Sequence, residues 1–144
     1  MHPITSEDEK LAEVAAELGS RLVRLNEAVA GPSRTRHIAL TVRNDKGAVI
    51  AGLVGEALWN ALYVYPLWVD ERYRQLTYGT ALLRRAEDLA IEKSCSYVCL
   101  STFDFQAPAF STALGYSVIG ELPTIPAGSR RQWLCGSLRR ILDS

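Results

Sequence analysis

The chain has no excess charge, few cysteines and no long apolar run, and each absence removes a class of function. Sixteen Lys and Arg residues balance sixteen Asp and Glu, so nothing electrostatic argues for nucleic acid or an anionic membrane surface. The apolar stretches fall far short of the roughly 20 residues that cross a bilayer. The leading MHPITSEDEK is polar and acidic, unlike a signal peptide, and the expected location is the cytoplasm. Three cysteines, Cys95, Cys99 and Cys135, form neither a CxxC pair nor a zinc spacing, and Cys95 and Cys99 are expected to pack as small hydrophobes. The two histidines, His2 and His37, stand in no metal or triad pattern, so no metal is expected. No GxGxxG is present, which argues against a dinucleotide fold. No GxxxxGK followed by Ser or Thr is present, which excludes a P-loop.

What is there is ordinary in amount and informative in order. At 144 residues, 48% hydrophobic and 22% charged, the chain fits one globular domain spanning 1–144. Within it an amino-terminal helix is expected over 1–31 and a sheet and cofactor-binding core over 36–139. Ser6 and Glu9 have the spacing of a capping box. Leu11, Val14, Ala15, Leu18, Leu22, Leu25 and Val29 then recur at helical spacing until Gly31-Pro32, which predicts a core helix. Ile38, Leu40 and Val42 alternate with Ala39, Thr41 and Arg43 as in a half-buried strand. Asn44-Asp45-Lys46-Gly47 supplies a turn, residues 48–58 resume strand character, and Trp59-Asn60 turns into a third strand over 61–69. The three form an antiparallel meander. Pro66 lacks the N–H that a ladder needs, so it predicts a bulge or an edge.

Residues 67–83 (LWVDERYRQLTYGTALL) read as a strand, a polar turn and an amphipathic helix. A helix N-terminus exposes unpaired N–H groups and partial positive charge, which suits phosphate, and here Arg74, Thr77, Gly79 and Thr80 surround it. The helix is expected over 77–93, burying Gly79, Leu82, Leu83, Ala86, Leu89 and Ala90, with Arg84 and Asp88 paired on its wet face. A strand over 96–101 follows, and strand–helix–strand implies a parallel crossover. Ligands of such sheets lie beyond the carboxyl ends of the strands, where residues 69–79 fall. A short helix over 106–114 stopped by Gly115, a strand over 116–121, a polar loop over 123–131 and a strand over 132–138 complete the pattern. The loop holds Pro126, Gly128, Arg130 and Arg131 and is either a connection or a substrate loop.

With these elements in order, residues 38–138 resemble the GCN5-related N-acetyltransferase (GNAT) superfamily. LWVDERYRQLTYGTALLRRAE is similar to its acetyl-CoA segment, a bulged strand followed by Arg/Gln-x-x-Gly-x-Gly/Ala at a helix start, here Arg74-Gln75-Leu76-Thr77-Tyr78-Gly79. FQAPAFSTALGY, residues 105–116, is similar to its later helix ending in Leu-Gly-Tyr. The resemblance implies an α/β fold with a mixed, mostly antiparallel sheet. Two central parallel strands splay into a V, and helices flank the sheet. It implies that the amides of Gln75, Leu76, Thr77, Tyr78, Gly79 and Thr80, helped by Arg74, hold the pyrophosphate of acetyl-CoA. The pantetheine would pair with Leu67 and Val69 like an added strand. An N–H between Leu67, Trp68 and Val69 would polarise the thioester. Asp104 stands where relatives have a contact to the cofactor or to the start of the later helix. Two positions depart from the pattern. Thr77 replaces the motif's first glycine, at a cost of about 1–2 kcal/mol if the backbone there needs a positive φ and little if it is helical. Ser111 stands where relatives place the tyrosine that protonates the departing thiolate.

The resulting expectation is transfer of an acetyl group from acetyl-CoA to a primary amine of a small molecule, by direct attack in a ternary complex. The alternatives are a non-catalytic acyl-CoA-binding or regulatory module, to which Thr77 and Ser111 point, and an acetyltransferase acting on a protein or an antibiotic. Attack requires a neutral amine, and Glu56 is the candidate base, with Asp70 and Glu71 nearer the cofactor turn. Trp59, Tyr63, Tyr65 and Trp68 are either an acceptor pocket or core. Neither nucleic acid nor membrane is an expected partner, and a homodimer is left open.

Overall fold

The computed structural model describes residues 1–74, 77–104 and 112–139. Its element order is α1 (Leu11–Ala30), β1 (Arg36–Arg43), β2 (Val49–Leu58), β3 (Ala61–Val69), α2 (Tyr78–Glu92), β4 (Tyr97–Phe103), β5 (Ser117–Pro123) and β6 (Arg130–Ser137). The chain forms two compact units, Met1–Ser33 and Arg34–Ser144.

The first unit is the helix. A 3-10 turn at Asp8–Lys10 leads into α1, and the expected capping box is not made. Ser6 Oγ donates to the Asp8 carboxylate at 3.2 Å instead of capping an N–H. Gly31, at φ 84°, ends the helix, and its N–H returns to the Glu27 carbonyl at 2.9 Å. The stripe expected in a core is not buried. Leu11, Leu18, Leu22, Leu25 and Val29 are exposed, because a single helix has no second layer of its own to cover an apolar face.

The second unit is a six-stranded sheet in the order β1-β2-β3-β4-β6-β5, antiparallel except for β3 beside β4. The first two turns are as the sequence predicts. Asn44 Oδ1 accepts from the N–H groups of Lys46 and Ala48, both at 3.0 Å, and Gly47 takes φ 82°. Trp59 takes φ 48° to close the second turn. Helix α2 crosses one face, where Leu82, Leu83, Ala86 and Ala90 meet Ile38, Leu53, Leu62, Val64, Val98 and Leu100 in one buried cluster. Each large side chain withdrawn there contributes about 1.5–3 kcal/mol.

Three expectations about α2 and the late strands are corrected. Arg84 pairs with Glu87 at 2.9 Å and not with Asp88, because the i,i+3 partner is the one that the fold buries. Gly79 and Leu89 are only half-buried. Arg130 and Arg131 lie in β6 rather than in a loop, since both pair across to β5 and the connection contracts to residues 124–129. Of the helix expected over 106–114, residues 106–111 lie outside the described residues; Gly115 stops the chain at φ 101° as expected.

Cys99 and Cys135 form a disulfide, against the expectation that Cys99 packs as a small hydrophobe. They are directly opposed on β4 and β6, with Cα atoms 4.2 Å apart. That is the close spacing of a non-hydrogen-bonded antiparallel pair, which brings two sulfurs together. Cys95 alone is a buried thiol, and burial raises its pKa.

Candidate active site

The bulge that Pro66 predicts lies within β3. Leu53 pairs with Leu67 and Gly55 with Val64, so two steps along β2 match three along β3. Gly55 stands beside this irregularity because nothing larger fits: an added Cβ would sit 2.9 Å from Ile38 Cγ1 and 3.0 Å from Leu62 Cδ1.

At the same level the sheet divides. The parallel ladder of β3 with β4 runs from Ala61 and Tyr97 to Val64 and Leu100 and ends there. Beyond it β3 stays on β2 as far as Val69, while β4 stays on β6 as far as Phe103. The two strands thus bound a V. The N–H of Asp70 donates to the Ile50 carbonyl of β2 at 2.8 Å. Backbone groups alternate sides along a strand, so those of Leu67 and Val69 face away from β2, into the V. The Val69 carbonyl already accepts from Arg74 Nε at 3.1 Å, and Arg74 is exposed.

Past β3, Asp70 caps a 3-10 turn at Glu71–Tyr73, accepting from the Arg72 N–H at 2.9 Å and from the Arg72 guanidinium at 3.0 Å. The hydrogen bond from the Arg72 side chain, then that from its backbone, holds the Asp70 carboxyl below its ordinary pKa. A carboxylate so committed is a poor proton acceptor. The chain then reaches α2 through Thr77, whose φ of −86° and ψ of 16° need no glycine. Its side chain caps no N–H of the helix. Tyr78, Gly79 and Thr80 are half-buried in the first turn. Gln75 and Leu76 lie outside the described residues, as does Ser111.

Glu56 sits on β2, half-buried, with the His37 imidazole 3.8 Å away and Tyr63 as its register partner on β3. It faces the side of the sheet opposite α2. The aromatics on that side are not core: Tyr63, Tyr65 and Trp68 are 51%, 61% and 46% exposed. Trp59 belongs to the turn. Asp104, at the end of β4, lies 3.7 Å from Arg130 Nε, and Arg130 also reaches Glu121 at 3.1 Å. Of the two arginines that sequence reading placed in the loop, Arg131 is the one beside this face. It is half-buried on the far face, and its guanidinium lies 5.4 Å from the Phe103 ring and 5.1 Å from the Trp133 ring. The alternation over Arg131, Trp133 and Cys135 was its available signal. Among the described residues no cluster of His, Cys, Asp and Glu could hold a metal.

Comparison with known proteins agrees with this architecture. An acetyltransferase (GNAT) family model matches residues 7–116. A blasticidin-S acetyltransferase of Streptomyces morookaense is 39% identical over 85 residues, 58% of this chain and 62% of that protein, so the match spans less than two thirds of the relative. An acetyltransferase of Agrobacterium fabrum is 32% identical over 123 residues, 85% of this chain and 90% of that one. The crystal structure of an acetyltransferase from Bacillus cereus superposes with a TM-score of 0.83 at 26% identity, covering 95% of this chain and 97% of the other. This chain therefore belongs to the GNAT acetyltransferases.

Proposed function

We propose that this protein transfers the acetyl group of acetyl-CoA to a primary amine of a small molecule, by direct attack in a ternary complex in the cytoplasm. The observation that carries the reading is the V between β3 and β4, with the backbone of Leu67 and Val69 turned into it. A pantetheine arm is an amide chain and pairs with such an edge as a strand would. Trp68 lies between these two residues, and an N–H of the segment 67–69 polarises the thioester carbonyl. The N-terminus of α2, with the amides of residues 75–80 and Arg74, takes the pyrophosphate. Asp104 assists at the cofactor side.

The amine nitrogen forms a C–N bond to the acetyl carbon, the C–S bond breaks, and the electron pair leaves on sulfur. One proton must leave the nitrogen and one must reach the thiolate. Glu56, directly or through water, accepts the first, since Asp70 is committed to Arg72. Ser111, or water that it orients, supplies the second. Proximity and the polarised carbonyl carry the remainder of the rate. Thr77 is no argument for a non-catalytic module, because its backbone is unstrained.

Calorimetric titration with acetyl-CoA and thiol release on a panel of primary amines test the reading together. The expected result is saturable binding and amine-dependent release. Absence of binding at millimolar acetyl-CoA sinks it. Binding with no release on any amine favours the regulatory module.

A further inference from the structure

The face of the sheet away from α2 carries one cation held in an unusual way. Along β6 the side chains alternate, so adjacent arginines go to opposite faces. Arg130 is neutralised, with Asp104 and Glu121 within 3.7 Å and 3.1 Å. Arg131 has no carboxylate within 4.0 Å among the described residues. Its Nη2 donates to Ser101 Oγ at 3.2 Å, its Nε is buried with no acceptor, and the rings of Phe103 and Trp133 flank it. Phe103 is its register partner, and Ser101 pairs with Trp133. These contacts fix the guanidinium plane, no carboxylate among the described residues meets the charge, and the remaining Nη N–H donors are left for a planar anion.

Its position says what that anion belongs to. Ser101 and Phe103 lie on β4 beyond Leu100, where the ladder to β3 has ended, so Arg131 stands beside one lip of the V. Trp68 stands on the other lip, on the same face, and Tyr63 on that face lies one residue before the split. Helix α2 covers the opposite face, so an acceptor reaching an acetyl group in the V comes in from this one. Arg131 and β3 are separated by two strand spacings, about 10 Å before the splay adds to it. We propose that Arg131 binds a carboxylate of the acceptor, so that the substrate class is amines that also carry a carboxylate some distance from the nitrogen. This rests on the acetyl-transfer reading above.

Matched pairs test it: para-aminomethylbenzoate against para-aminomethylbenzamide, and epsilon-aminocaproate against its amide. Each is assayed for thiol release with acetyl-CoA, and for calorimetric binding to the CoA-loaded protein. The acid of at least one pair is expected to exceed its amide by about ten- to hundredfold in kcat/KM and in affinity. In Arg131→Gln that preference should vanish, with amide turnover and CoA affinity within about twofold of the parent protein. Arg131→Lys should keep part of it, since charge survives but the fork does not. The comparison within the unaltered protein stands even if a variant does not fold. Turnover without preference overturns the inference and leaves acetyl transfer standing. Preferential binding without thiol release sinks acetyl transfer and keeps the carboxylate site. No response to any probe, or a loss of CoA affinity in Arg131→Gln, overturns the inference as well.

Discussion

At the scale of single residues, Arg74 is expected to serve two ends. Its Nε braces the Val69 carbonyl, the last of β3, and in the sequence it stands four residues before the first residue of α2. A direct charge-assisted contact to phosphate contributes about 1.5–3 kcal/mol. Arg74→Ala is therefore expected to raise the Kd for CoA at least about tenfold with an unchanged melting temperature. An unchanged Kd would reduce Arg74 to its brace. Tyr116 presents the converse case. Its hydroxyl is buried and has no hydrogen-bond partner among the described residues, and burial drives its pKa far upward. Removing an unsatisfied polar atom relieves its desolvation cost, so Tyr116→Phe should stabilise the protein by about 1 kcal/mol in denaturant unfolding. A loss of stability would mean that the hydroxyl is satisfied after all.

At the scale of elements, α2 joins packing to charge. Glu87 is 3% exposed on its inner face, and Arg84 Nη1 donates to both carboxylate oxygens at 2.9 Å. Desolvation raises the Glu87 pKa, and the Arg84 hydrogen bonds only partly offset this. A carboxyl whose pKa is higher folded than unfolded binds its proton first in the folded state. Its stabilising contribution is present at low pH and is lost as pH rises through the folded pKa. In the parent protein Glu87 thus opposes acid unfolding. Glu87→Gln lacks that term, so its melting temperature should fall more steeply than the parent's between neutral pH and about pH 4. Parallel pH profiles would show that Glu87 has the same pKa folded and unfolded. In β3 the decisive device is the bulge at Tyr65-Pro66, which turns the strand away from β4 and opens the V.

At the scale of the whole molecule, the strands gather one face out of distant segments. Glu56, Tyr63, Cys99 and Cys135 are successive register partners across β2, β3, β4 and β6. The disulfide therefore ties together two strands on one side of the V, over a sequence separation of 36. Loop-closure arithmetic for that span gives about 3–4 kcal/mol. A reductant should accordingly lower the melting temperature of the oxidised protein, and Cys99→Ser should match the reduced form and ignore the reductant. Equal melting temperatures with and without reductant would show that the link carries no stability. The pair also reports the redox state in which the protein is isolated.

Local chemistry determined what the sequence revealed alone. The Asn44–Gly47 turn, the stop at Gly31, the bounds of β3 and the bulge at Pro66 each follow from one or two residues whose backbone options are few. The family was legible for the same reason, since its cofactor segment is continuous along residues 67–87. Only tertiary structure decided the rest, because it depends on which face each residue meets. The pairing of Cys99 with Cys135 needed the β4–β6 register. Arg84 chose Glu87 over Asp88 because packing α2 on the sheet buried one and left the other wet. The exposed stripe of α1 carries a helical period whether or not a second layer covers it. Arg130 and Arg131 are neighbours in sequence, and β6 sends one to two carboxylates and the other between two aromatic rings. Period-two alternation separates them by the thickness of the sheet, a distance that only long-range strand pairing sets.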